Sequence, residues 1–575
     1  MSKNKHLSQS VQREELFKRI HKKLTLLYGK KKGGYAFDKI RNLLMDFWVR
    51  KKKKRVSEKD VILITYGDSI VDGEKNLRLL NDFLVKYLKG TINTVHILPF
   101  FPYSSDRGFS VIDYRKVNPQ LGDWDDIKKI HENFNLMFGE VINHISSQSE
   151  WFKEFLGANP KYRDYFISFE SEDAISTSDL SKITRPRTSP LLTRFKTKDG
   201  YRYVWTTFSS DQIDLNYHNP DVLIEAIDLL LFYIDKWVDI VRLDAVAFIW
   251  KELGTNCVNR KQVHIILKIF RVILKLVAPY VMLLCEVNLP QKENISYFGG
   301  GDDESHIIYD FTLPPLLLFS FCKGNAKKLS RWASHLRIRS DLDFIFNFLD
   351  SHDGIGLSSV NGILTEREIE SMIDTVKKKG GLVSFRRKDG REIPYELNTT
   401  WFSALKDDDE ELSIRKYLCS IAVALSIDGI PGIYIQSLFG MENDLKKVSR
   451  TGIKRDINRS GLDIAKIIEA LEDKDSKENR IFTQVTNLIR IRTRQQPFHP
   501  AAAQEILYLN NSIFSILRTS GTEKILALHN VSNYVQKIDG KTFKTGKGLD
   551  LIGKKEISGE IILEPYQFIW VKSSY

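Results

Sequence analysis

Short apolar segments alternate with longer amphipathic segments between about residues 61 and 494. This alternation predicts parallel β-strands joined by α-helices, which places the chain in the α/β class. Eight strands are predicted, at residues 61–66, 95–100, 136–142, 240–246, 281–287, 306–311, 344–349 and 430–435. Eight such units over this length favour a closed (β/α)8 TIM barrel. An open sheet would need a glycine-rich phosphate loop after its first strand, and ITYGDSIVDG is not one.

Two connections are too long for simple crossovers and are predicted to be inserted domains. One follows strand 3 at about 145–237, and the other follows strand 7 at about 354–405. Loops at the carboxyl ends of barrel strands build the active sites of such folds, so both insertions are expected above the chemistry. Short alternating strands at the end of the chain predict an all-β C-terminal domain at 495–575, which leaves 59–494 for the barrel.

The formal charge of +13 comes from one end of the 575-residue chain. Residues 1–60 contain 19 Lys and Arg against 6 Asp and Glu, so the remainder is balanced. Apolar residues at helical spacing, Leu16, Ile20, Leu24 and Leu27, predict that residues 1–58 form a basic helical extension. A solvated helix is the favoured interpretation, with attraction to an anionic surface as the alternative. Nucleic-acid binding is not expected.

Composition restricts the remaining classes of protein. No apolar stretch is long enough to cross a bilayer, and the polar N-terminus lacks the apolar segment of a signal peptide. The four cysteines are widely spaced, without the CxxC pattern of a zinc or redox site. We therefore expect a cytoplasmic protein with no metal and no cofactor.

Three of the predicted strands end in an acidic residue: Asp244 closes strand 4, Glu286 closes strand 5 and Asp353 follows strand 7. Arg242 precedes Asp244 by two residues, so both side chains lie on one face of the strand. An isolated Arg and Asp pair is usually structural. Three acids at one rim of a barrel, however, crowd like charges, and proteins tolerate such crowding mainly at functional sites.

Displacement at a sugar anomeric carbon suits these residues. A retaining mechanism needs an ionised nucleophile and a protonated acid about 5 to 5.5 Å apart. Arg242 would keep Asp244 ionised, while the apolar surroundings of Glu286 would help that side chain to hold its proton. Asp353 would bind sugar hydroxyls more tightly as the ring flattens in the transition state.

Six motifs resemble those of glycoside hydrolase family 13, the α-amylase superfamily, and within it the sucrose phosphorylase subfamily. They are LPFFPYSSDRGFSVIDY (98–114), VINHIS (141–146), RLDAVAF (242–248), CEVN (285–288), FLDSHDGIG (348–356) and RDINRS (455–460). The resemblance implies that Asp244 is the nucleophile, Glu286 the acid/base and Asp353 the transition-state stabiliser. It also implies a set of substrate-binding residues: Asp106, Phe109, His144, Phe208, Gln212, Arg242, His352 and Arg459.

Members that look like this transfer glucose from a small α-glucoside to inorganic phosphate, which is a co-substrate. The expected donors are sucrose, sucrose 6′-phosphate, glucosylglycerate and glucosylglycerol. Phosphate or the aglycone is expected to contact Arg185, Arg187 and Tyr395, although both arginines would otherwise be ordinary solvated loop residues. A hydrolase or transglucosidase with the same carboxylates is the first alternative, and a non-catalytic binding protein is the second. Both substrates are small molecules, and the sequence does not indicate an oligomeric state.

Strand 3 departs from the family pattern at one position. The family usually has an Asp four residues before the Asn of VINH, and this chain has Gly139 there, followed by Glu140. That Asp typically supports the Arg of the RLD motif. Glu140 points to the other side of a regular strand and could substitute only at a bulge. We therefore expect catalysis to be weakened, and an Asp at position 139 to raise kcat/KM.

Overall fold

The structure is a computed structural model that describes residues 2–47, 56–72, 76–301, 303–336, 342–388, 391–539 and 547–573. Eight parallel strands close into a barrel, which we number β1 to β8 in chain order. They are Ile62–Thr65, Thr94–Ile97, Asn135–Val141, Val238–Asp244, Met282–Cys285, Ile307–Tyr309, Phe344–Asn347 and Ile430–Tyr434. The barrel prediction is therefore confirmed, and each of the eight predicted strands overlaps one of these.

The described residues contain α-helices at the following positions: Ser2–Met45, Asn76–Phe83, Trp124–His131, Glu150–Leu156, Thr177–Lys182, Pro220–Asp235, Lys261–Val277, Gln291–Ile295, Leu313–Lys323, Lys327–Ala333, Glu366–Lys378, Trp401–Leu405, Glu410–Ser426, Leu445–Thr451, Ile464–Glu472 and Lys477–Arg492. Those that link barrel strands bury an apolar face on the sheet. Lys261–Val277, for example, buries ten residues, while its remaining positions face outward. None of the helices in the described ranges is long and apolar enough to span a membrane.

The segment after β3 carries five short strands, at His144–Ser146, Ser168–Phe169, Leu192–Thr197, Gly200–Trp205 and Gln212–Asp214. It ends in the helix Pro220–Asp235, which leads into β4 and packs on it. The segment after β7 forms a three-stranded sheet from Ile355–Gly356, Leu382–Lys388 and Arg391–Asn398. Both segments leave the carboxyl end of the barrel, as the sequence predicted.

The C-terminal part is all β, which confirms that prediction. Its larger sheet pairs six strands in the order Ala503–Leu507, Ile513–Ser520, Glu523–Asn530, Phe568–Ser573, Lys547–Asp550 and Lys555–Ser558. A two-stranded sheet joins Gln536–Ile538 to Ile561–Leu563. Arg518 is fully buried, and its Nη1 lies 3.4 Å from Oδ1 of Asp428, two residues before β8, so this ion pair ties the domain to the barrel. The domain boundaries at residues 58 and 494 stay predictions.

The basic N-terminal segment is a helical hairpin docked on the barrel. Gly29 has φ 77° and ψ 173°, values outside the helical region, and there the chain turns back on itself. Phe17 packs edge-on against Phe37, and Leu24 and Ile40 are fully buried. The hairpin lies on Pro220–Asp235 and Lys261–Val277. A solvated helix was expected. The hairpin instead buries one face, while its outer face, which includes the Lys30–Lys32 run and the exposed Leu26, contacts solvent.

Candidate active site

A pocket at the carboxyl end of the barrel brings together most of the residues singled out from the sequence. Its lining includes twelve of them: Asp106, Phe109, His144, Arg187, Phe208, Gln212, Arg242, Asp244, Glu286, His352, Asp353 and Tyr395. Arg459 lies behind this wall, where its Nε donates to the carbonyl of His352 at 2.6 Å. Arg185 is the exception, because it lines a separate cavity beside Leu180, Asn256 and Arg386.

One guanidinium joins the first two carboxylates. Nη1 of Arg242 donates to Oδ1 of Asp244 at 2.6 Å, and Nη2 lies 3.8 Å from Oε2 of Glu286. The Arg242 side chain is only 2% exposed, so its charge acts through protein and little solvent. This ion pair fixes the position of the Asp244 side chain at the end of β4.

The turn after β4 orients Glu286. Ala245 adopts the left-handed conformation with φ 47°, and its amide donates to Oε2 of Glu286 at 2.9 Å. Burial raises the pKa of Glu286 to about 7, because the negative charges of Asp244 and Asp353 add to the effect of burial and outweigh Arg242. A carboxyl that titrates near neutrality can donate and then accept a proton in one catalytic cycle.

Asp353, in contrast to Glu286, is held in the ionised form. Burial by itself would raise its pKa, but Arg455, with help from Arg459, holds that pKa well below its usual range. Nη1 of Arg455 forms an ion pair with Asp353, and its Nε and Nη2 donate to both oxygens of Glu396 at 3.0 and 2.6 Å. Asp353 is therefore a fixed anion.

Arg455 was not singled out from the sequence as a site residue. It is the first residue of RDINRS, so the motif was recognised but its function was not assigned. Its carboxylate partner Glu396 lies 59 positions away in the segment after β7. No local pattern relates the two residues, and only the fold brings them together.

Aromatic and imidazole rings shape the sugar side of the pocket. Phe109 stacks on His352 with ring centroids 4.8 Å apart and planes 6° apart. His144 lies 5.2 Å from Phe208, centroid to centroid, and its Nε2 donates to the carbonyl of Phe109 at 3.1 Å. Burial lowers the pKa of His144, so this side chain is neutral. Flat apolar faces beside polar groups suit a sugar ring.

The loop that supplies Asp106 is strained. Asp106 and Arg107 have φ of 51° and 52°, values that side chains other than glycine adopt at a cost. Arg107 pairs with Asp68 at 3.0 Å, and this contact helps to fix the loop. Asp106 in turn lies 3.4 Å from Nη1 of Arg459. Strain of this kind is typical of functional sites.

His144 is positioned by a buried network that sequence reasoning missed. The Nδ2 of Asn143 lies 3.2 Å from Nδ1 of His144, while its Oδ1 accepts from Nζ of Lys251 at 2.7 Å. Lys251 also pairs with Asp214 at 2.6 Å. Asn143 directly precedes His144 in the VINH motif, whereas Lys251 and Asp214 come from two other segments that only the fold brings here.

The two positions at the departure from the family pattern face opposite sides. Gly139 is the β3 partner of Arg242, and a Cβ there would lie 4.0 Å from Nη1 of Arg242. Glu140 is fully buried, and neither of its carboxyl oxygens has a hydrogen-bond partner. The pairing of β3 with β4 is irregular only between Val238 and Ile240, and it is regular at Gly139 and Glu140. Glu140 therefore does not replace an Asp at position 139.

Burial raises the pKa of Glu140 well above its ordinary value of 4.5. Between those two pKa values the folded protein holds a proton that the unfolded chain releases, so folding stability is lost as pH rises through this range. We expect Glu140→Gln, which keeps the size and removes the titration, to be more stable than wild type at pH 7. The difference should grow by roughly 1.4 kcal/mol per pH unit above about pH 4.5.

Thermal unfolding at several pH values measures this difference. The exposed Glu556 offers a matched Glu→Gln control, whose melting temperature should follow that of wild type at every pH. Equal melting temperatures for Glu140→Gln and wild type from pH 5 to pH 8 would contradict the buried protonated state.

The sequence model of the α-amylase catalytic domain matches residues 83–373, about half of the chain. Glucosylglycerate phosphorylase from Spirochaeta thermophila is 42% identical over 96% of this chain and 95% of its own length. The chain belongs to the α-amylase family. This finding confirms the resemblance to glycoside hydrolase family 13 that the motifs indicated.

Two further comparisons place the chain within the α-amylase family. Sucrose 6(F)-phosphate phosphorylase from Thermoanaerobacterium thermosaccharolyticum is 31% identical over 76% of this chain and 88% of its own length. A crystal structure of sucrose 6F-phosphate phosphorylase from Thermoanaerobacter thermosaccharolyticum superposes with a TM-score of 0.74 at 27% identity. That superposition covers 88% of this chain and 98% of the other. The relatives of this α-amylase family member thus include phosphorylases that differ in their donors.

Among the described residues, no group of three or more His, Cys, Asp and Glu side chains could hold a metal ion. The absence of a cofactor stays a prediction, and so do the individual roles of the site residues.

Proposed function

We propose that this protein is a retaining α-glucosyl phosphorylase whose donor is glucosylglycerate. The observation that carries the reaction type is the Arg242 guanidinium, which pairs with Asp244 and lies beside Glu286, an acid that titrates at about pH 7. Support for the donor comes from relatives. The glucosylglycerate phosphorylase is 42% identical along almost the whole chain, against 31% for the sucrose 6(F)-phosphate enzyme.

In the first step Asp244 attacks the anomeric carbon while Glu286 donates its proton to the departing glycerate oxygen. The glucosyl group is then an ester of Asp244, and glycerate leaves. In the second step a phosphate oxygen attacks the same carbon, Glu286 takes the phosphate proton, and the ester bond breaks. The products are α-glucose 1-phosphate and the free Asp244 carboxylate. Asp353 stabilises the positive charge that develops on the ring in both steps.

The acceptor side of the pocket supports an anionic partner. Arg187 and Tyr395 line it beside Glu286. Among the described residues Arg187 forms no ion pair, so its planar guanidinium is available to phosphate or to a carboxylate such as that of glycerate. Arg185 faces the other cavity, and we do not assign it to this subsite.

A donor screen tests the proposal. Glucosylglycerate, glucosylglycerol, sucrose and sucrose 6′-phosphate are incubated with and without phosphate, and glucose 1-phosphate and free glucose are both quantified. We expect phosphate-dependent formation of glucose 1-phosphate, fastest with glucosylglycerate. Asp244→Asn protein is the blank. Phosphate-independent release of glucose would identify a hydrolase instead, and a faster reaction with another donor would overturn the choice of glucosylglycerate.

A further inference from the structure

Three polar groups contact the Arg242 guanidinium, and one of them is a phenol and not a carboxyl group. Nη1 donates to Asp244 and Nη2 faces Glu286, while Nε donates to the hydroxyl of Tyr309 at 3.0 Å. A buried guanidinium is fixed in place only when its donors have acceptors. Tyr309 supplies the acceptor on the side away from the two carboxylates.

Tyr309 is itself rigidly held. It is the last residue of β6 and is 4% exposed. Its ring stacks on Phe311 at 5.3 Å and meets the edges of Phe346 and Phe348 at 5.0 and 5.3 Å. Its carbonyl accepts from Nδ2 of Asn294 at 2.7 Å. Packing of this kind leaves the phenol hydroxyl in one position.

Position 139, which faces Nη1 of Arg242, carries no charge. Gly139 provides no side chain there, and the Cβ of a larger residue would meet only Pro99 at 3.8 Å and Nη1 of Arg242 at 4.0 Å. Both are ordinary van der Waals distances, so a side chain could start at position 139 without a clash. The glycine there is therefore not required by crowding. Burial raises the pKa of Tyr309 to about 12 in spite of Arg242, so the phenol is neutral at physiological pH.

We infer that Tyr309 is the positioning residue of this active site, a neutral anchor that orients Arg242 while leaving its whole positive charge to Asp244 and Glu286. A carboxylate at position 139 would share that charge. The inference deepens the proposed function, on which it rests for the roles of Asp244 and Glu286. It also revises the expectation from the sequence, because Arg242 has an acceptor even though position 139 is Gly.

Tyr309→Phe removes only the anchoring hydroxyl. We expect kcat/KM to fall about 10- to 100-fold, as for loss of a hydrogen bond to a buried charged group. The melting temperature should change little, because the ring remains. Arg242 lowers the pKa of Glu286 in wild type. If Arg242 is displaced, that pKa rises and the alkaline limb of the pH profile should move to higher pH. Tyr297→Phe is the matched control, since its hydroxyl is buried and has no hydrogen-bond partner. That variant should keep wild-type kinetics.

Gly139→Asp provides a rescue. In wild type we expect it to change kcat/KM by no more than about twofold, because Tyr309 already holds Arg242. In the Tyr309→Phe background it offers a new acceptor and should restore activity about tenfold. Wild-type kcat/KM and an unmoved pH profile for Tyr309→Phe would overturn the inference, and so would equal effects of Gly139→Asp in both backgrounds.

The substrate for this test is α-glucosyl fluoride, whose fluoride release reports the first step for any acceptor. If wild type releases fluoride but makes no glucose 1-phosphate from any donor, the proposed function fails while the variants can still be compared. The pH profiles are measured on the donor that the screen shows to be cleaved fastest, whether to glucose 1-phosphate or to free glucose, because its leaving group depends more on acid assistance.

Discussion

An Asp244→Asn variant is expected to lose at least about 10⁴-fold in kcat, the largest effect of any single change in this protein. The amide keeps the size of the side chain but cannot attack the anomeric carbon. It also loses the ion pair with Arg242 that now measures 2.6 Å. The measurement is fluoride release from α-glucosyl fluoride, with enzyme at high concentration to detect residual turnover.

Asp228→Asn provides the control, because Asp228 forms an exposed surface ion pair with Arg115 and should tolerate the change within twofold. A fluorinated glucosyl fluoride that slows breakdown of the ester should add one sugar mass to the peptide that contains Asp244 in wild type. Label on another residue, or an active Asp244→Asn enzyme, would contradict the nucleophile assignment. If wild type and Asp244→Asn both released fluoride no faster than a blank without protein, the alternative of a non-catalytic barrel would be revived.

Glu286→Gln should reduce turnover by an amount that depends on the leaving group. With glucosylglycerate, whose alkoxide must be protonated as it departs, we expect a loss of about 10²- to 10⁴-fold. With α-glucosyl fluoride the loss should be much smaller, because fluoride needs less help. The wild-type enzyme should lose activity above about pH 7, where Glu286 loses the proton that it must donate, and this alkaline limb should vanish in the variant.

Glu252→Gln is a suitable control, since Glu252 pairs with Arg260 away from the pocket and is partly exposed. Steady-state kinetics on both donors from pH 5 to pH 9 measure the effect. Equal losses on the two donors, or an alkaline limb that persists in Glu286→Gln, would show that Glu286 is not the acid.

Sequence periodicity was sufficient for the barrel because its strands are nearly continuous apolar runs between helices. Met282–Cys285, for example, is buried at every position. The three carboxylates could be predicted for the same reason, as each follows such a run. The pairing of Arg242 with Asp244 was predicted as well, but its contact with Tyr309 could not be. Tyr309 lies 67 positions away in the chain, so its hydrogen bond depends on the closure of the barrel.

In the N-terminal segment, too, the local structure could be predicted but the tertiary contacts could not. Apolar spacing predicted a helix, and residues 2–45 are helical apart from Gly29. The reversal was not predicted, because the apolar spacing Leu16, Ile20, Leu24 and Leu27 ends before Gly29 and does not show where a helix turns. Docking also depends on the surface offered by Pro220–Asp235 and Lys261–Val277, which no pattern within the segment describes. The sequence also could not show which of two neighbouring arginines enters the pocket. Arg187 lines it, whereas Arg185, two residues earlier, lines a separate cavity.

The hydrogen bond from the Ala245 amide to Glu286 has a consequence for how this site varies over evolution. The donor belongs to the backbone, so replacing the side chain at position 245 does not delete it. What selection can act on is the left-handed conformation that aims the amide. Glycine and asparagine adopt that conformation readily, whereas β-branched residues do so only with strain. Backbone geometry therefore limits which residues can replace Ala245. The orientation of Glu286 persists as long as the turn keeps its left-handed conformation.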